Sequence, residues 1–595
     1  MGFNLLTEPW LPAVRLDGAR QEISLVQALR DAASYRRLVG SSPTMTAALH
    51  RLLLALAHRV YQPLDAARWA QLWQAKADGG LPGAELAAYQ EKWLSRFDLF
   101  DPDMPFFQCP ALDNTPGSTA KLVAGWATGS NRTLFDHTTS DQRPVLPPAQ
   151  AARWLVTVQA YDTSGTKQPY RKERTAEGGL GNRFGCVLVE GGSLHETLLL
   201  NMQRYQPDDE LPARTTGRDR PVWEADQPPE PEPDARTPLG WTDLLTWPSR
   251  RILLSTTTAS GIPQVDGVVL TPSSGIPQVD GVVLTPSSGI PQVDGVVLTP
   301  SSGIPQVDGV VLTPGTRLEG DLLEWEAMAA YRRPWLRGGK QGEFRAVTLD
   351  ELRGVWRHSQ ELLLSSDKRW WNSWRATRYA KGPLPAQEPD RRRPAALDHI
   401  AELVEDGYIP EDTVYTLRIF GQRLGDQGGD TYAWYEEAVP APVALMRADS
   451  ARIGRILGYA VSLANDLGEQ LKLMERQYAA DFHRQLSKEQ EKKSSELEIL
   501  YWPQLAQPFA TFLRELGHAL LNGTSETEPA ERWGQAVSEL ADKTAWQWLQ
   551  GAPRRDRSLL TASAHFDDFQ LARHKLQRIF RGGLARYSAP PQEDT

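Results

Sequence analysis

Several groups of residues in this chain have types and spacing that chemistry can use. Ser118–Lys121 and Ser164–Lys167 are SxxK tetrads, in which a lysine amine can take the serine proton and leave a nucleophilic oxygen. Neither SDN nor KTG accompanies them, so a four-letter match with two free positions is weak. His565, Asp567, Asp568 and His574 bring metal-type donors together, but Phe566 and Phe569 alternate with them, which makes the polar residues the solvated side of a helix. GGLGNRFG, from Gly178, is only superficially dinucleotide-like, because the charged run RKERTAE precedes it where an apolar strand is required. GxxxxGK[ST], HExxH and GxSxG are all missing, which removes the common NTPase, zinc-protease and hydrolase signatures.

Features suited to nucleic acid are more numerous. KRWWNSWR, Lys368 to Arg375, interleaves cations with three tryptophans and can stack bases while neutralising phosphates; its Trp370, Trp371 and Trp374 also share one helical face and suit a core. RRRP, Arg391 to Pro394, and residues 551–586, with eight Lys or Arg and three Asp, suit phosphates or a solvated surface equally. The most distinctive loop is GQRLGDQGGDTY, Gly421 to Tyr432, between the strand-like VYTLRIF and AWYEEAV. Its glycines permit positive φ and close approach, and Gln427 offers an amide that donates and accepts. A plain hairpin turn with a polar tip has the same pattern.

These residues need elements to hold them. LLTEPWLPAVRLDG has the alternation and breakers of strand and turn, while TAALHRLLLALAHRVY has helical spacing, with His50 and His58 as structural residues on its flank. Residues 206–240, with QPPEPEP at their centre, read as a Pro/acid-rich surface loop. From Gly261 the unit GIPQVDGVVLTPSS repeats at a period of 14, with three full copies and a fourth ending at Pro314. The copies match letter for letter, so residues 261–314 read as a recent tandem insertion on the surface.

After Met446 the pattern changes to long amphipathic helices. Ile453, Ile456, Ala460, Leu463, Leu467, Leu471, Met474 and Tyr478 make the first stripe; Phe509, Phe512, Leu513 and Leu516 the second. Trp533, Val537, Leu540, Thr544 and Trp548 make the third; Phe569, Ala572, Leu576 and Ile579, ended by Gly582-Gly583, the fourth. The expected fold is therefore α+β, with a mixed α/β N-terminal domain over 1–445 and a C-terminal four-helix bundle over 446–595.

Composition narrows the class. The 595 residues are 41% apolar with a net charge of −9, which excludes coating nucleic acid by charge alone. Only Cys109 and Cys186 are present, so neither a disulfide framework nor a cysteine-rich zinc module can form. With no leader-like N-terminus and no long apolar run, a soluble cytoplasmic protein is expected.

FNLLTEPWLPAVRLDG, MPFFQCP, AKLVAGWATGSNRTLFDH, VLVEGGSLHETLLLNM, DRPVWE, DLLTWPSRRILL and the terminal bundle occur in an order that resembles the CasA family, large subunits of the type I-E CRISPR surveillance complex Cascade. The resemblance spans nearly the whole chain, interrupted by the repeats, where some relatives carry cysteines that this chain lacks. It implies a protein without catalysis; the residues themselves give no reason to expect a cofactor or metal. The implied partners are a crRNA, double-stranded target DNA, other Cascade subunits and a recruited helicase-nuclease. By position, Gln427 matches the family's wedge glutamine, flanked by Asp426 and Gly428. Gly165, Thr166 and Lys167 lie in the segment YDTSGTK, which resembles the family's glycine loop facing the minor groove, with GGLG at 178–181 as a rival place. Asn131, Arg132, Phe135 and Asp136 resemble the loop that meets the guide RNA and neighbouring subunits. The competing classes are a docking subunit without DNA readout and an SxxK hydrolase. A fluorophosphonate or β-lactam probe is expected to leave Ser118 and Ser164 unlabelled; labelling of either would restore the hydrolase.

Overall fold

The computed structural model describes residues 2–63, 65–124, 144–203, 205, 216–257, 305–333, 342–349, 353–364, 391–425, 428–429, 431–448, 450–482, 495–553 and 556–587. The chain opens with a small antiparallel sheet in the order β2-β1-β3, formed by β1 (Leu11–Arg15), β2 (Arg20–Ile23) and β3 (Tyr35–Leu38). Helix α1 (Pro43–Tyr61) follows. Ser42 caps it by accepting from Met45 N at 3.1 Å, and Pro43, which has no N–H to satisfy, starts it. This helix is buried on nearly every side, so His50 and His58 are core residues and not flank residues. His50 Nδ1 lies 2.8 Å from Thr46 O, and His58 Nε2 accepts from Trp241 Nε1 at 3.2 Å. Burial lowers His50 to about 4 and His58 to about 3.

Helix α2 (Pro148–Tyr161) packs on α1 and ends at the ribbon of β4 (Gly165–Tyr170) and β5 (Glu173–Ala176). Strand β6 (Cys186–Glu190) is buried throughout. Next come β7 (Arg250–Thr257) and β8 (Gln306–Pro314), an antiparallel pair. The long hairpin of β9 (Val414–Leu424) and β10 (Thr431–Pro442) completes a three-stranded sheet in the order β10-β9-β6.

Strand β8 corrects the reading of 261–314 as a surface insertion. It is the fourth repeat copy, and Val307, Val310 and Val311 are fully buried in it. Its second edge is also occupied: Val307 exchanges backbone bonds of 2.8 and 2.9 Å with Leu146, and Val310 bonds of 2.9 and 3.0 Å with Gly117. A Cβ on Gly309 would lie 2.9 Å from Pro116, so the repeat's glycine permits this close approach. Copies one to three, 261–302, lie outside the described residues.

The expected loop 206–240 is also more than solvated chain. Among its described residues, Trp223 stacks on Phe106 and meets Phe97 at a tilt, and buried Glu224 receives Arg59 at 2.6 Å and the Tyr89 hydroxyl at 2.7 Å. Arg59 thereby ties the loop onto α1.

Four helices form the C-terminal bundle: α3 (Ser450–Phe482), α4 (Ala506–Leu521), α5 (Thr527–Gly551) and α6 (Asp556–Leu584). The stripes read from α3, α4 and α5 face the core. In α6 the stripe is shifted: Ile579 is 58% exposed and Phe580 takes the buried position. Gly582-Gly583 does not end this helix, which runs to Leu584. A Cβ on Gly583 would stand 2.9 Å from the Tyr459 ring, so this glycine serves helix contact. The bundle also shares its core with the preceding domain. Trp356 inserts against Phe509 and Trp533, with ring centroids at 4.6 and 5.7 Å.

Removing Gly261–Ser302, three whole copies, is expected to preserve folding, because the retained copy still forms β8. Removing Gly261–Pro314 takes that strand away and should abolish soluble expression; equal behaviour of the two deletions would refute the assignment. Below about pH 6.5 the unfolded histidines bind protons that the buried ones refuse, so stability falls with pH by ~1.4 kcal/mol per unit for each. For His50 that loss runs down to about 4. His58→Gln keeps an acceptor for Trp241 and should remove one proton's worth of slope in denaturant titrations between pH 7 and 5.

Candidate nucleic-acid interface

Two of the expected segments, 161–167 and the hairpin tip near 428, meet in the structure. The first is fixed from below. Helix α2 ends at Tyr161, and β7 places the buried guanidinium of Arg250 under the chain that leaves it. Arg250 Nη2 donates to Thr163 O at 2.9 Å and to Glu177 O at 2.7 Å, and Nε donates to Asp162 Oδ2 at 2.5 Å. Lys167 Nζ reaches the same Asp162 oxygen at 2.9 Å. Burial alone would raise Asp162, yet Arg250 and Lys167 beside it hold its carboxyl below the usual range. Burial lowers Lys167, with Asp162 opposing. The ammonium is therefore turned inward as a support of the loop, and the lysine of the Ser164 tetrad is engaged elsewhere than on its serine. In the other tetrad Ser118 Oγ caps a short turn by accepting from Ala120 N at 3.2 Å.

Above this base the chain turns outward. Gly165 has φ +116°, and a Cβ there would meet nothing within 4 Å, so backbone conformation and not space calls for glycine. Thr166 beside it is exposed. The rival glycines at 179 and 181 are buried: Cβ atoms on them would fall 2.5 Å from Ala160 O and 2.5 Å from the Tyr161 ring. GGLG is thus a packing surface for the end of α2.

The hairpin arrives from the opposite side. Its pairing with β6 covers Thr416 to Phe420; beyond that, residues 421–424 pair with β10 alone. Gly428 N donates to Gly425 O at 2.7 Å, and Ser164 N donates to Gly428 O at 2.9 Å, stitching the two loops backbone to backbone. Gly428 has φ +70°, and a Cβ would stand 2.1 Å from Ser164 Oγ. Both conditions call for glycine. Asp426 and Gln427 lie outside the described residues, as do 131–136 with Asn131, Arg132, Phe135 and Asp136, and KRWWNSWR.

Gln422, at the start of GQRLGDQGGDTY but not among the residues the sequence singles out, joins the same assembly. Its Nε2 donates to Tyr161 O and Asn182 Oδ1, both at 2.7 Å, and its Oε1 accepts from Trp434 Nε1 at 3.2 Å. A polar amide on a strand facing a tryptophan was the available signal. Tyr432, next to the tip, is 69% exposed.

The other candidates disperse. In RRRP, Arg392 and Arg393 are buried: Arg392 donates to Leu323 O, and Arg393 donates to Asp398, Leu363 O and Met446 O at 2.7, 3.0 and 2.8 Å. They bind the elements around the bundle together. His565 pairs with Asp481 at 2.7 Å and His574 Nδ1 lies 2.7 Å from Gln570 O; among the described residues no His/Cys/Asp/Glu group has metal-site geometry. No described helix is long and apolar enough to cross a membrane.

Comparison with known proteins follows the same outline. The family model of CRISPR-associated protein Cse1 matches residues 4–544. The CRISPR-associated protein CasA/Cse1 of Thermus thermophilus is 37% identical over 263 residues, 42% of this chain and about half (49%) of that relative's length. The crystal structure of Thermobifida fusca Cse1 superposes with a TM-score of 0.71 at 28% identity, covering 97% of this chain and 98% of that one. A chain from a CRISPR RNA-guided surveillance complex shares the fold, with a TM-score of 0.61 at 18% identity over 96% of this chain and 99% of that one. On the extent of the family match, with the α+β fold and terminal bundle in agreement, this chain belongs to the Cse1 (CasA) family of CRISPR-associated proteins.

Proposed function

We propose that this chain is the large, non-catalytic subunit of a type I-E RNA-guided surveillance complex. In this role it recognises the protospacer-adjacent motif in duplex DNA and begins strand separation. Its partners are a crRNA, the other Cascade subunits and a helicase-nuclease recruited to the opened target. The observation that carries the proposal is the bond from Ser164 N to Gly428 O, which puts a surface glycine loop and a glycine-framed hairpin tip side by side on a rigid base.

Each loop has its task. Backbone groups at Gly165 and Thr166 face the minor groove, where they distinguish mainly A·T from G·C, which tolerates several motifs. Gln427 enters the base step beside the motif, with Asp426 and Gly428 framing it. Unstacking a step costs on the order of a few kcal/mol, offset by phosphate contacts and guide pairing. With a net charge of −9, this chain leaves most of the backbone affinity to its partners. Lys167 supports the loop through Asp162. Asn131, Arg132, Phe135 and Asp136 are assigned to the guide-RNA contact.

The test uses the complex reconstituted with its guide RNA. Gln427→Ala is expected to slow target opening, read by 2-aminopurine fluorescence, by roughly tenfold or more. Gly165→Asp and Thr166→Asp, the second without backbone strain, should abolish the preference for motif-bearing duplex. Motif-dependent binding intact in all three variants would leave only a docking subunit.

A further inference from the structure

We infer that Gln422 is a positioning residue that locks the hairpin tip to the 161–167 loop, so that motif contact and strand opening occur at one fixed spacing; the inference deepens the motif-reading role proposed above. Beyond Phe420 the hairpin has left the ladder to β6, and among the described residues 421–424 are strand-paired with β10 alone. A two-stranded ribbon is twisted and marginal by itself, so a tip that must part stacked bases needs a brace. Gln422 lies at the place where that brace is required, opposite Trp434 in the register.

Its bonds leave the amide a single orientation. The Tyr161 carbonyl can only accept and the Trp434 indole N–H can only donate, so Nε2 must face the loop and Oε1 must face β10. The second Nε2 hydrogen goes to Asn182 Oδ1, and the Asn182 amide in turn donates to Tyr161 O at 3.2 Å and Asp162 O at 2.8 Å. One side chain therefore connects β9, β10, the end of α2 and the segment after GGLG. The tip and the loop are also joined backbone to backbone, from Ser164 N to Gly428 O. That bond keeps its geometry while the hairpin stays at the height Gln422 sets. Leucine fills a similar volume and forms none of these bonds. Glutamate retains the acceptor for Trp434 and places negative charge against two oxygens.

Hydrogen exchange on the full-length chain reads the coupling without DNA. In Gln422→Leu and Gln422→Glu, exchange in peptides covering Ser164 should accelerate roughly tenfold, the loss expected for one or two net hydrogen bonds, while peptides from the bundle remain unchanged. In the reconstituted complex, both variants should open fully paired target roughly tenfold more slowly and still bind target already mismatched beside the motif within about twofold of the parent chain. A residue needed only for folding would depress both measurements together. Unchanged exchange at Ser164, or equal losses on paired and mismatched targets, would overturn the inference. If exchange accelerates but the parent complex shows no motif-dependent opening, the coupling stands and the DNA-reading role falls.

Discussion

A buried guanidinium that cannot be left unpaired organises the candidate interface. Stripping Arg250 of its partners inside the protein would cost several kcal/mol, so Asp162, the Thr163 carbonyl and the Glu177 carbonyl must stay around it. Those partners are the chain on both sides of the β4–β5 ribbon. Satisfying one charge therefore determines where the surface loop emerges, and Lys167 adds a second cation to the same carboxylate. Glycine at 165 and 428 lets the chain take positive φ on this base without strain.

The hairpin follows a complementary logic. Its root is held by the regular ladder to β6, and its tip by isolated bonds chosen residue by residue. A ladder needs no particular side chains, whereas Gln422 and Gly428 have to be those residue types. Placement of the tip thus rests on polar contacts outside the sheet, where a small displacement carries furthest.

A segment's role here follows from what surrounds it. The fourth repeat copy is a strand paired on both edges, because Gln306 to Pro314 pair with β7 and the 117 and 146 segments close over the other edge. Likewise the arginines of RRRP are the same residue type as those on α6, but Arg392 and Arg393 face inward toward carbonyls and Asp398. Charge in a sequence states the chemistry of a side chain and is silent about the direction in which it points.

Periodicity alone determined the α+β class, the terminal bundle and most of its buried stripes, because a face repeating every 3.6 residues must be covered whatever covers it. The hairpin strands and the glycine-framed tip were likewise legible, since alternation and positive-φ residues are local properties. Tertiary structure alone decided that Gly165 and not Gly179 lies at the surface, that α6 runs through its paired glycines, that Lys167 turns inward, and that Gln422 joins two loops 261 residues apart. Each of these depends on a partner distant in sequence, and contacts of that kind leave no period in the chain that makes them.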